Sequence, residues 1–218
     1  MAGWPYRDVV TFSTTLLPAV LGFGTGLALI VAIGAQNAFL LKLGLTGRNG
    51  LVAAVVAICA ISDAVLIVVG VLGIGAVIEA APVALVVIRV LGSVFLITYG
   101  LFAAWRALKP KALEPGAASP RISLRAAVFT ALALTWLNPH VYLDTVLLLG
   151  SVANQQGEAE RWWWAGGAVL ASFTWFTLLG FGARLLRPFF AKPSSWRVLD
   201  ALIAVVMLAL GIRMALGH

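Results

Sequence analysis

The sequence predicts an all-α polytopic membrane protein: six transmembrane helices arranged as two inverted three-helix repeats, with helices one and four broken. Three observations carry this. Of 218 residues, 62% are hydrophobic and 11% charged, with a mean hydropathy of +1.04. A soluble domain has about 45–50% apolar and about 25% charged residues, so a water-soluble globule and a disordered chain are both excluded. Apolar runs long enough to span a bilayer, roughly 20 residues each, recur along the chain. The two halves also echo one another. Arg89-Val90-Leu91 and Ala107-Leu108 return as Arg197-Val198-Leu199 and Ala215-Leu216 at an offset of 108. Ser62 and Gly70 match Ser172 and Gly180 at 110, and Asn37 matches Asn138 at 101. An odd number of spans per repeat inserts the second copy upside down, the plan of many secondary transporters.

The first span is predicted over 16–41. The residues before it include Trp4, Pro5, Arg7 and Asp8 and lack the apolar core and small-residue site of a signal peptide. A helix of that length reaches roughly 39 Å, more than a ~30 Å hydrocarbon core. Gly34, Gln36 and Asn37 in its later part predict local unwinding. Gly22, Gly24, Gly26 and Gly34 otherwise suit close helix packing, within one protomer or between copies in a homo-oligomer.

The second span is predicted over 51–78 and the third over 83–108, completing a first repeat, 1–108. Asp63 lies near the middle of the second. An aspartate at that depth costs about 2.5–3.5 kcal/mol on the insertion scale, and no Lys or Arg occupies the middle of any span to answer it. It therefore faces a wet cavity, holds a proton or meets a cation from solution. Residues 109–123, with Pro110, Pro115, Gly116 and Pro120, read as a cytoplasmic loop.

The second repeat, 124–218, has spans at 124–149, 162–186 and 198–216. The fourth span carries Asn138, Pro139, His140 and Asp144. Pro139 removes a backbone donor and disfavours helix at Asn138, while His140 and Asp144 share a helical face at i, i+4. Polar groups this dense within a span are costly unless used. Trp162, Trp163 and Trp164 read as an aromatic belt at the outer interface, and Asp200 as a local ion pair with Arg197.

Eleven of the fifteen Lys and Arg residues fall in the connections after spans one, three and five. That side is expected to face the cytoplasm, leaving both termini outside. The net charge of +7 forms no polar basic face, so nucleic acid is not an expected partner. Cys59 stands alone and allows neither an internal disulfide nor a cysteine metal cage; no metal and no cofactor is expected.

Gly34-Ala35-Gln36-Asn37-Ala38-Phe39, Ile61-Ser62-Asp63 and Leu134-Thr135-Trp136-Leu137-Asn138-Pro139-His140-Val141-Tyr142-Leu143-Asp144 together resemble the LysE family of basic amino-acid exporters, over nearly the whole chain from Leu16 to Leu216. Ala35 stands where proline is common in that family. The resemblance implies a transporter, not an enzyme, in the bacterial inner membrane that exports L-lysine or L-arginine. The implied substrate-binding residues are Gly34, Gln36, Asn37, Asp63, Asn138, Pro139 and Asp144. Asp63, His140 and Asp144 are candidates for coupling transport to protons or a counter-ion. Other readings are an exporter of other amino acids, a channel or scaffold, and an intramembrane aspartyl protease using Asp63 and Asp144.

Overall fold

A computed structural model describes residues 12–31, 34–73, 82–108, 122–138 and 141–216, and every described element is helical. The elements are α1, Leu17–Ile30, entered through a π-helical turn at Phe12–Leu16; α2, Ala35–Leu45; α3, Asn49–Val71; α4, Pro82–Leu108; and α5, Leu124–Trp136. A π-helical stretch, Tyr142–Leu149, then leads into α6, Gly150–Asn154. Helix α7, Glu160–Gly182, continues through short 3-10 turns to α8, Pro193–Leu216. Five stretches among the described residues are long and apolar enough to cross a membrane: Phe12–Ile30, Asn49–Val71, Arg89–Leu108, Glu160–Leu186 and Ser194–Leu216. Leu124–Trp136 is apolar but shorter, because the predicted fourth span is interrupted after Trp136. The protein is thus an all-α polytopic membrane protein.

The chain forms two compact units, and each draws on both halves of the sequence. Unit 1 comprises Met1–Ala32, Ala60–Ala81 and His140–Trp175; unit 2 comprises Ile33–Cys59, Pro82–Pro139 and Phe176–His218.

In unit 1, α1 lies along α7. A methyl group on Gly22 would sit 1.9 Å from the Trp164 carbonyl oxygen, and one on Gly26 would sit 3.0 Å from the Ala168 Cα. The paired positions rise together in number, so these helices run parallel. Gly24 faces open space, so only some of the predicted packing glycines act as such. Trp164 is 1% exposed and packs in a core with Ile67, Val71, Leu149 and Ala168. Trp162 and Trp163, 43% and 52% exposed, lie at the surface of the protein. The tryptophan run is therefore two surface residues and one core residue, because a helix turns consecutive side chains by about 100°.

In unit 2, α4 and α8 pair along their length. Gly92 meets Met214, Gly211 meets Ile97, and Gly100 meets Leu208. Rising numbers on α4 meet falling numbers on α8, so the third and sixth spans are antiparallel. Asp200, expected to pair with Arg197, instead bonds Lys42 of α2 and Arg106 of α4. Its position on α8 turns it into the packed face, where it is 7% exposed.

Candidate functional site

The first break lies where the sequence predicts unwinding, but ahead of the amides. Helix α1 ends at Ile30, and Gly34 is extended (φ −116°, ψ 171°) and begins α2. Gln36 and Asn37 are thus in the first helical turn. The first amide hydrogen bond in α2 is Ala38 N–H to Gly34 O, 3.0 Å. The N–H groups of Ala35, Gln36 and Asn37 precede any intrahelical acceptor, as at every helix start, and the N-cap position, Gly34, supplies no side-chain cap. The Gln36 Nε2 is enclosed and has no hydrogen-bond partner among the described residues.

The second break follows α5, whose own start is capped by Ser123 Oγ accepting from Ala126 N–H. Leu137 and Asn138 leave the helix. Helix α4 admits this break closely, because a methyl on Gly92 would lie 1.8 Å from the Leu137 carbonyl oxygen. Helix α5 also packs against α2, so within unit 2 the two interrupted spans touch. Pro139 and His140 lie outside the described residues. Asp144 lies in the π-helical stretch Tyr142–Leu149, and the expected His140–Asp144 face falls partly outside the described residues.

Asp63 projects from the middle of α3 and is 5% exposed, in unit 1. Its partner is Ser172 on α7, which is fully buried. Ser172 Oγ stands 3.3 Å from Asp63 Oδ2 and 3.4 Å from the Ala168 carbonyl oxygen. A hydroxyl has one proton, so it donates to the carboxyl or to the carbonyl, not to both. Among the described residues no Lys or Arg pairs with Asp63. Among the described residues, the one neutral hydroxyl leaves an ionised Asp63 without a counter-charge. Asp144 belongs to the same unit and is half-buried in the π-helical stretch.

Of the predicted residues, the structure therefore places Asp63 and Asp144 in unit 1, and Gly34, Gln36, Asn37 and Asn138 in unit 2. Among the described residues no group of three or more His, Cys, Asp or Glu could hold a metal ion. Ser172 was visible in the sequence only as the match to Ser62. The cluster of Lys42, Arg106 and Asp200 had no sequence signal, because its members are far apart in the chain and each sits near a span end.

Residues 27–218, which include both breaks and Asp63, match the family described as LysE type translocator. The chain belongs to the LysE family. It is therefore a member of a transporter family and not an enzyme. This LysE-type translocator is 47% identical, over 85% of its own length and 90% of the relative's, to a Mycobacterium tuberculosis protein named "Putative amino-acid transporter Rv0488". It is 37% identical to the lysine exporter LysE of Corynebacterium diphtheriae, covering 90% of this chain and 97% of that one. It is 38% identical to the arginine exporter protein ArgO of Yersinia enterocolitica, covering 89% and 94%. No solved structure matches the chain.

Proposed function

We propose that this translocator exports L-lysine, L-arginine or both from the cytoplasm by alternating access. The observation that carries the reading is Asp63, a buried carboxylate in the middle of a span with a serine hydroxyl as its partner. Buried charges are ordinarily paired, and a cationic solute supplies the missing partner. The names of the Corynebacterium and Yersinia relatives support both candidate substrates.

In this reading each unit has groups suited to a basic amino acid. Asp63, with Asp144 as a second carboxylate, holds the distal cation. In unit 2, the start of α2 at Gly34 has backbone N–H groups of the kind that suit a carboxylate, as helix N-termini do for anions. The amides of Gln36, Asn37 and Asn138 suit the α-ammonium, and Pro139 is kept as a binding residue of the second break. Asp63, Asp144 and His140 are the groups through which a proton couples to transport.

The two halves of the sequence act as inverted repeats, joined by a cytoplasmic loop at 109–123. The antiparallel pairing of α4 with α8 supports this, since the third span of each repeat would cross in opposite senses. The Lys- and Arg-rich connections face the cytoplasm and both termini lie outside. Uptake of labelled lysine and arginine into inside-out vesicles tests the proposal. It predicts saturable uptake of both that citrulline and leucine do not compete. Absence of uptake, or equal competition by citrulline, would contradict it.

A further inference from the structure

Within unit 2, Lys42 of α2 and Arg106 of α4 converge on one carboxylate oxygen of Asp200. The Lys42 Nζ bonds Asp200 Oδ1, and Arg106 Nε donates to the same oxygen at 3.2 Å. The side chains are 22%, 36% and 10% exposed for Lys42, Arg106 and Asp200. The group holds two positive charges and one negative, so it is one anion short of neutrality.

The shortage has a definite location. An Arg–carboxylate pair commonly uses two parallel N–H groups of the guanidinium against both oxygens. Here Arg106 Nη2 is enclosed and has no hydrogen-bond partner among the described residues. The guanidinium carbon lies 5.8 Å from the centre of the Tyr99 ring, and the Tyr99 hydroxyl is a side-chain hydrogen-bond partner of Arg106. A buried, charged donor left unsatisfied costs more than a neutral one, and an oxyanion relieves both the hydrogen-bond and the charge deficit.

We infer that Arg106 and Lys42 form a second solute site, which takes the α-carboxylate of the transported amino acid before it reaches the first break. The inference rests on the proposed export of basic amino acids. Lys42 lies eight residues after Gly34, roughly 12 Å along α2, between the break and the basic connection that holds Arg48. A solute travelling along α2 from that connection passes Lys42 first. Lipid phosphate offers the same oxyanion chemistry, but it remains at the membrane surface, whereas Nη2 is enclosed by protein. A small solute carboxylate can leave that surface, and we therefore take it as the occupant. Its arrival balances the charges, two against two, without breaking the bonds to Asp200.

The test uses cadaverine, which is lysine without its carboxylate, as a competitor of labelled L-lysine uptake into vesicles containing the full-length protein. Arg106→Gln should raise the KM for lysine about tenfold, the scale of one charge-assisted hydrogen bond. The cadaverine competition constant should move less than twofold, so lysine's advantage over cadaverine shrinks by nearly the whole factor. Arg106→Lys, which keeps the charge and is the fallback if Arg106→Gln does not fold, should show a smaller change of the same sign. Asp63→Asn should weaken lysine and cadaverine together, since both carry the distal cation. An unchanged lysine-to-cadaverine ratio in both Arg106 variants overturns this site and leaves the reading of Asp63 standing. Failure of wild-type lysine transport overturns the export reading itself. Vesicles of phosphatidylcholine alone and vesicles with added phosphatidylglycerol separate the two oxyanion sources. If the Arg106→Gln effect occurs only with phosphatidylglycerol, the site holds lipid phosphate and the inference fails.

Discussion

Asp63 and Asp200 are the same residue type at nearly the same burial, 5% and 7% exposed, yet their surroundings are opposite. Asp200 is met by two cations, from helices distant in sequence. Asp63 is met by one serine hydroxyl. The first arrangement neutralises the carboxylate within the protein and leaves a cation in excess. The second leaves the carboxylate's charge to be answered from elsewhere. The difference teaches that burial alone does not identify a ligand-binding acid; the partner set does. A carboxylate matched by Lys42 and Arg106 has its charge answered within the protein, whereas the proposed export reading has a solute complete the one met by a hydroxyl.

The comparison makes opposite predictions for equivalent substitutions. The largest effect is expected from Asp200→Asn. Removing one member of a buried ion pair costs about 3–5 kcal/mol, because the remaining charges are stranded. The thermal midpoint of the purified protein should fall sharply, and a midpoint equal to wild type would contradict the assignment. Asp63→Asn should not lower that midpoint, since it removes an uncompensated charge and keeps a group able to bond Ser172. It should instead lower kcat/KM for lysine or arginine by about 100-fold, a loss of about 2.7 kcal/mol. An unstable Asp63→Asn with normal transport would reverse the comparison.

A further sharpening is Lys42→Met combined with Arg106→Met and Asp200→Leu. Replacing a whole buried ionic group with apolar residues of similar volume is often neutral. The triple variant should therefore recover most of the stability lost in Asp200→Asn, as read by the same midpoint. Smallest is Ser172→Ala, which removes one hydrogen bond, about 1 kcal/mol net. It should weaken solute binding less than tenfold; a loss as large as that of Asp63→Asn would make Ser172 an equal partner in the site.

Much of this was legible in the sequence, for physical reasons that can be named. Asp63 stood out because an ionisable group within an apolar run is costly wherever the helix turns. The breaks stood out because glycine and proline differ from other residues in the backbone itself. What depended on facing direction was less legible. Trp164 looked like its neighbours Trp162 and Trp163, but helical rotation sends it into the core. Gln36 and Asn37 proved to be in the first turn of α2, since one extended glycine suffices to start the helix ahead of them. Asp200 was read against Arg197, the nearest charge in sequence. Its partners lie 158 and 94 residues away, and no local periodicity reports such distances.

The central claim is that the Asp63 carboxylate is completed by the positive side chain of the solute. Equilibrium binding of L-arginine and L-citrulline to the purified full-length protein and to Asp63→Asn addresses it most directly, because citrulline keeps arginine's shape without its charge. Wild type should prefer arginine by about 100-fold, the scale of a desolvated charge-assisted contact, and Asp63→Asn should bind the two within a few-fold of each other. Equal binding of both ligands by wild type, or a preference for arginine that survives Asp63→Asn, would contradict the account.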